Sequence, residues 1–229
     1  STPKPSSAAS DVYKRQILGI LAAIAIPRLA ATRDDAEVAK TLSNLSTLVS
    51  DVTSNYTAKG QFADNIKDMT NVVGVASTSL KELNDAGAKT VSADYSVGNT
   101  ADCLQISFIK NAEEDIFLFV GTAKLVTLQK AVADAKGKLT KAEKMPEDTA
   151  DQKTAKEGAI KAANEAITAA NTALSDALSA RGGIAPDSAS AQCRTLTSTK
   201  SFQDIAGKDY KLSGTNAVSY THLTLPTKA

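Results

Sequence analysis

The sequence predicts an α+β fold in which a long N-terminal α-helix packs on an antiparallel β-sheet, with an inserted antiparallel helical hairpin. Three observations predict this fold. Residues 17–58 carry a helical pattern, residues 91–120 contain short alternating apolar and polar runs, and residues 124–181 are rich in Ala, Lys, Glu and Asp with no strand signal. With 229 residues, 42% of them hydrophobic, the chain is large enough to bury one core.

The composition argues against several functional classes. Lys and Arg (26) nearly balance Asp and Glu (25), so nothing indicates a nucleic-acid partner. The single histidine, His222, leaves no Ser-His-Asp triad and few zinc sites. We find no nucleophile–base pair and no phosphate loop, so the sequence predicts no enzyme, no cofactor and no metal site. The acidic clusters at 34–35, 113–115 and 147–148 are typical of helix starts and turns rather than of cation sites.

The two ends of the chain differ from the rest. Residues 1–16 and 218–229 are interpreted as a non-native leader and tail, of the kind produced when adapter or vector DNA is translated, and are left out of the fold prediction. The alternative is a natural disordered leader and tail.

Residues 17–59 are predicted to form one long helix with an apolar part, 17–31, and an amphipathic part, 32–59. The apolar run of residues 17–26 is shorter than the roughly 20 residues that a membrane span needs. It is therefore either a short core helix or the rear of a longer span, and its blunt start favours the second interpretation. A proline inside the helix is expected to kink or loosen it. The candidate assembly residues are Ile17, Leu18, Ile20, Leu21, Ile24, Ile26 and Pro27.

The amphipathic part has an apolar stripe with helical spacing, which is predicted to form the core with the sheet. Gly60 is expected to cap the helix in the left-handed conformation. From residue 17 to residue 58 the helix would be roughly 63 Å long, so part of it must protrude or be buried against something else. The predicted helix–sheet core residues are Leu42, Leu45, Val49, Val52 and Tyr56.

Residues 60–123 are predicted to hold a connecting loop and the sheet. Short helical pieces are expected at 65–69 and 79–85. Strands are expected at 91–97, 103–110 and 115–120, with the last two forming a hairpin.

Residues 124–181 are predicted to form the helical hairpin, because apolar residues recur at heptad spacing on both sides of residues 145–148. Gly182-Gly183 is expected to end its second helix. We favour a solvated structural element over an exposed interaction surface, since charged runs on helices are usually solvated. The two predicted seams are Leu125, Leu128, Val132, Ala135, Leu139 and Ala142, and Ile160, Ala163, Ile167, Ala170, Leu174 and Ala177.

Residues 182–217 are predicted to return the chain to the sheet, with short strands near 194–197 and 210–212. The two cysteines, Cys103 and Cys193, favour one disulfide if the chain is exported, and two buried free thiols are the alternative.

The segment LGILAAIAIPRL, residues 18–29, is similar to the N-terminal helix of type IV pilins and of the pseudopilins of type II secretion. The similarity extends to about Lys40 and includes Pro27; beyond that the chain resembles the family only in architecture. The resemblance implies a class III prepilin, which a membrane peptidase cuts after a glycine and whose new N-terminus is methylated. The cleavage glycine, the first aromatic residue and the assembly glutamate of the family are missing, and their places would fall within residues 1–16.

The resemblance implies a structural subunit of a type IV pilus or pilus-like filament, serving adhesion, motility or DNA uptake. The helix would first anchor the subunit in the bacterial inner membrane, facing the periplasm. It would then pack with other pilins in a helical homo-oligomer, either an extracellular pilus or a periplasmic pseudopilus. The alternatives are a type II secretion pseudopilin, or a minor tip pilin whose helical hairpin binds a surface or protein partner.

Overall fold

A single helix, α1 (Ser7–Lys59), opens the fold and is the longest element. The computed structural model describes residues 7–98, 100–179 and 190–212, with side chains described for all of these except residues 7–13, 19–32 and 102. The 53 residues of α1 correspond to about 80 Å at 1.5 Å per residue. Gly60 follows with φ 68° and donates its N–H to the Tyr56 carbonyl at 2.8 Å, which confirms the predicted cap.

The start of α1 differs from the prediction, because it lies ten residues before Ile17. Residues 7–16 contain neither Gly nor Pro, and Ala8, Ala9, Lys14, Arg15 and Gln16 are good helix formers. Extending an existing helix is far cheaper than nucleating one, so such a stretch continues the helix that follows it. Residues 7–16, which the fold prediction left out, therefore belong to α1. The α-helix also continues through Pro27, which does not end it.

The sheet has four antiparallel strands in the order β1 (Lys89–Val97), β2 (Thr100–Lys110), β3 (Ile116–Gly121) and β4 (Tyr210–Lys211). The α+β class, the antiparallel sheet and the β2–β3 hairpin are as predicted. The predicted short helical pieces before the sheet are 3₁₀-helices at Ile66–Asp68 and Lys81–Asn84.

The two faces of the sheet pack against different helices. On the first, here called the α1 face, the Tyr95 hydroxyl accepts a hydrogen bond from Asn44 of α1 at 3.3 Å. On the same face Phe108 meets Phe62 edge to face, with ring centroids 5.4 Å apart, and Phe62 contacts Tyr56 of α1. The opposite face, here called the hairpin face, carries Phe117 and Phe119.

The helical hairpin covers this second face. It consists of α2 (Val126–Glu143) and α3 (Ala150–Ser179), which are joined by a short loop and therefore run antiparallel. Lys136 of α2 lies over the Phe117 ring at 5.5 Å, and Gln129 of α2 donates to the Val120 carbonyl at 3.2 Å. The favoured interpretation of the hairpin as a solvated element is therefore wrong for α2, which forms the third layer of an α/β/α arrangement.

The predicted heptad seams fall on the inner sides of the two helices, where every one of their residues is buried or half-buried. Of the six buried seam residues, one precedes α2, three belong to α2 and two belong to α3. The buried seam residues are Leu125, Val132, Ala135, Ala142, Ala163 and Leu174.

The C-terminal part contains α4 (Ala191–Ser198) and α5 (Lys200–Ala206) before β4. The strand predicted near residues 194–197 is wrong, because α4 occupies this position. Ser190 caps α4 by accepting the Cys193 N–H at 3.2 Å, and the Thr197 hydroxyl bonds back to the Cys193 carbonyl at 3.0 Å. The strand predicted near 210–212 is present as β4. Gly182-Gly183, His222 and residues 213–229 lie outside the described residues.

Candidate assembly helix and its anchorage

The C-terminal half of α1 is embedded in the core, and most of the predicted stripe takes part. Leu45 and Val52 are fully buried, Val49 is 6% exposed, and Leu42 and Tyr56 are half-buried against the same core. Val38 and Leu48, which are not among the predicted core residues, are also buried. Val38 lies seven residues before Leu45 and Leu48 lies three residues after it, and this helical spacing could have identified both as part of the stripe.

Two polar contacts fix the rotation of α1 against the α1 face. Asn44 Nδ2 donates to the Tyr95 hydroxyl, and Asp51 accepts a hydrogen bond from the Thr70 hydroxyl at 2.7 Å. Burial raises the pKa of Tyr95 above its usual value, although the hydrogen bond from Asn44 opposes this shift. Because both contacts join α1 to separate loops and strands, they define which face of the helix meets the sheet.

A second set of contacts holds α1 where it leaves the core. Gln192 of α4 donates to Asp34 of α1 at 2.9 Å, and the backbone N–H of Ser190 donates to the Thr100 hydroxyl at 3.1 Å. The Gln192 side chain also lies over Gly98, where an added Cβ would come within 3.0 Å of its amide oxygen. The start of α4 is therefore wedged between α1 and the β1–β2 turn.

The disulfide ties this wedge to the sheet. Cys103 of β2 and Cys193 of α4 are bonded, with Cα atoms 5.8 Å apart and both residues fully buried. The bond encloses β3 and the helical hairpin within a separation of 90 residues. It lies one residue from Gln192, so it braces the contact that orients α1.

The N-terminal half of α1 carries the candidate assembly residues. Leu18 is 65% exposed and Ile17 is 40% exposed, and Arg33 beyond the apolar part is also exposed. Val38 is the first residue of α1 with a described side chain that is buried. The side chains of Ile20, Leu21, Ile24, Ile26 and Pro27 lie outside the described set, although their backbone belongs to α1.

Across the described residues, no helix is long and apolar enough to qualify as a membrane-crossing span.

The acidic clusters serve structural contacts. Asp34 accepts from Gln192, Glu114 pairs with Lys110, and Glu147 pairs with Lys156 at 3.2 Å. Asp115 pairs with Lys211 of β4 at 2.8 Å. The hydrogen bond from Lys110, helped by the Gly87 N–H, lowers the pKa of Glu114. Within the described ranges, no group of three or more His, Cys, Asp or Glu side chains is arranged to hold a metal ion.

The sheet, the helical hairpin, α4 and α5 form a folded unit, here called the head, which packs against the C-terminal half of α1. In the N-terminal half of α1, the apolar side chains of Ile17 and Leu18 are exposed. Such an arrangement is suited to joining molecules through the helix, because exposed apolar surface favours association. Comparison with family models, with curated proteins and with solved structures finds no match to this chain.

Proposed function

We propose that this chain is a structural subunit of a type IV pilus or pilus-like filament and assembles through the N-terminal half of α1. The observation that supports this proposal is the division of α1. Among the residues of α1 with described side chains, the first buried one is Val38, and the uninterrupted apolar run of residues 17–26 precedes it on the same continuous helix. A helix about 80 Å long is far longer than a head of this size needs.

The physical reason for a filament lies in the apolar run. A helix that is apolar on all sides is stable only when it is buried, either in lipid or in a bundle of similar helices. If subunits stack head to tail through such helices, with a rotation that does not close, the product is an open helical filament. The similarity of residues 18–29 to the N-terminal helix of type IV pilins supports the same conclusion.

The proposed path of the subunit has two stages. The apolar part of α1 is held in the inner membrane before assembly, and then packs among the equivalent helices of other subunits. The head stays in the periplasm or on the filament surface, where the buried disulfide is stable because these compartments are oxidising.

The test is incorporation into filaments. The chain from Ile17 onward is expressed behind a class III leader and mature N-terminus in a bacterium that assembles type IV pili. Sheared filaments are then labelled with antibodies against the head. We expect labelled filaments, and we expect Ile24→Lys to abolish the label because a lysine within the apolar part cannot be buried cheaply.

Thr57→Lys is the matched control, since Thr57 is an exposed residue of the same helix beyond the apolar part. It should incorporate like the unsubstituted chain. A folded, disulfide-bonded chain that stays out of the filaments while the host pilin assembles would contradict the proposal. Equal incorporation of Ile24→Lys would contradict it as well.

A further inference from the structure

A polar groove lies between α1 and the chain that connects α5 to β4. Its volume is about 320 Å³, within the range of small-molecule sites. One wall is the side of α1 that flanks the stripe at Val49, and the other is formed by α5 and the residues after it. The lining residues are Ser46, Val49, Ser50, Thr53, Ser54, Ile205, Lys208 and Tyr210.

The α1 wall presents a ladder of hydroxyl groups. Ser46, Ser50 and Ser54 are one helical turn apart, which places their Cβ atoms roughly 5–6 Å from one another. Ser46 and Thr53 already donate to helix carbonyls, at 3.2 and 2.7 Å, so toward the groove their oxygens act as acceptors. Among the described residues, the hydroxyls of Ser50 and Ser54 have no hydrogen-bond partner and remain able to donate.

The opposite wall supplies one positive charge. Lys208 is half-buried, and no carboxylate of the described residues forms an ion pair with it. Its two acidic neighbours in sequence are both engaged elsewhere, since Asp204 pairs with Lys200 at 2.8 Å and Asp209 pairs with Lys136. Lys208 therefore lines the groove without a counter-charge from these neighbours.

The remaining lining is apolar. Val49 is 6% exposed, Ile205 is half-buried, and Tyr210 lines the same groove. A ligand that fits all three parts needs an anionic group for Lys208, several hydroxyls for the α1 ladder and a C–H face for the apolar floor.

We propose that this groove binds an acidic monosaccharide of the uronic-acid class, with its carboxylate on Lys208 and its ring hydroxyls on the Ser50 and Ser54 side of α1. A pyranose ring carries hydroxyls on successive carbons and can bridge two turns of the ladder. This site is independent of filament assembly, because its residues belong to the embedded half of α1 and to the C-terminal part of the head.

The probe for the test is D-glucuronate, titrated into the ¹⁵N-labelled chain and followed by backbone amide shifts. We expect saturable shifts at Ser50, Ser54 and Lys208, and an affinity at least about tenfold higher than for glucose or acetate. Glucose lacks the charge and acetate lacks the hydroxyls, so each reports on one half of the site. Equal binding of acetate would overturn the proposal, as would the absence of saturable shifts with glucuronate.

Two lysine variants complete the test. Lys208→Gln should weaken glucuronate binding by at least about tenfold, whereas Lys67→Gln, at an exposed lysine of the Ile66–Asp68 3₁₀-helix, should change it less than about twofold. Unchanged urea unfolding midpoints show that both variants are folded. Wild-type affinity in Lys208→Gln would overturn the proposal.

The methyl β-glycoside of glucuronate distinguishes the source of the ligand. Binding of the glycoside equal to that of the free acid indicates the end of a glycan chain, and rejection of the glycoside indicates a free sugar acid. Either outcome supports the proposed chemistry of the groove.

Discussion

At the scale of single residues, α2 docks on the hairpin face through two reciprocal close approaches. Gly137 of α2 leaves room for Asn111, whose Nδ2 donates to the Ala133 carbonyl at 3.0 Å. Gly121 of β3 in turn leaves room for Gln129 of α2. Asn111 also accepts the N–H groups of Glu113 and Asp115, each at 3.0 Å, so the same side chain shapes the β2–β3 turn and receives the helix.

Gly137→Ala should destabilise the chain, although alanine is the better helix former. An added Cβ would lie 2.7 Å from Asn111 Nδ2, and relieving that clash breaks the contact with Ala133. Overpacking of this kind typically costs about 1–3 kcal/mol, more than the roughly 1 kcal/mol gained from helix propensity. The measurement is the free energy of unfolding in urea.

Gly158→Ala is the matched control, because an added Cβ at this position of α3 meets nothing within 4 Å. It should stabilise the chain by up to about 1 kcal/mol through propensity alone. If both variants shift the urea midpoint in the same direction, the close approach at Gly137 has no energetic importance.

The stability of the chain should fall at alkaline pH because of two tyrosines. Burial raises the pKa of Tyr56 and of Tyr95 above the ordinary value of 10.0, with Lys110 opposing the shift at Tyr56. Below pH about 10 both phenols are protonated in either state, so their contribution is fully present. As the pH rises further, the unfolded phenols ionise first and the unfolded state is favoured.

The measurement is the free energy of unfolding in urea from about pH 8 to about pH 11. Tyr95→Phe should show a shallower decline, since one of the two groups no longer titrates. Parallel curves for the two proteins would show that Tyr95 ionises equally easily in the folded state.

At the scale of elements, α1 has an embedded half and a half that the head does not need. A chain lacking residues 1–32 keeps all the α1 side chains that the structure describes as buried, together with the Asp34–Gln192 contact. Its free energy of unfolding should therefore stay within about 0.5 kcal/mol of that of the full chain. Urea unfolding measures this, and co-sedimentation with phospholipid vesicles should be seen for the full chain and lost in the shortened one. Loss of cooperative unfolding in the shortened chain would mean that the apolar part belongs to the head.

The hairpin, in contrast, cannot be removed. Deleting residues 124–179 would expose Ile109, Phe117 and Phe119, which are at most 2% exposed in the complete head. It would also remove the ion pair between Lys136 and Asp209 and the hydrogen bond from Thr140 to Asp115. We expect a chain without cooperative urea unfolding, whereas Glu165→Ala on the exposed side of α3 should be neutral. A well-folded deletion variant would restore the interpretation of the hairpin as a solvated addition.

At the scale of the whole molecule, local patterns predicted most elements but not what covers them. The alternation in β2 led to the correct strand, and the heptads led to the correct hairpin. Gln105 and Ser107 alternate with apolar residues in β2, yet Ser107 is fully buried, and its hydroxyl lies 3.0 Å from that of Ser92. Burial of the hairpin face depends on α2, which follows later in the chain, so no local signal in β2 could reveal it.

The error at α4 has a different physical origin. Thr195 and Thr197 are β-branched and have high strand propensity, which favours a strand. The flanking Ser190 and Thr199 cap short helices instead, with Thr199 accepting the Phe202 N–H at 3.2 Å. Capping and the burial of Cys193 and Leu196 therefore outweighed the intrinsic preference.

The disulfide joins the layers of the molecule, and its loss should lower the free energy of unfolding of the whole head. Cys103 lies on β2 and Cys193 on α4, so the bond links the sheet to the element that contacts α1 as it leaves the core. For a loop this long the chain-entropy model gives about 4–5 kcal/mol, and measured values are typically about 2–4 kcal/mol. We expect Cys103→Ser combined with Cys193→Ser to lower the free energy of unfolding by that measured amount.

Reductant should lower the urea midpoint of the unsubstituted chain and leave the double variant unchanged, because only the former has a bond to lose. An identical midpoint for the oxidised chain and the double variant would mean that the packing of α4 alone holds the layers together.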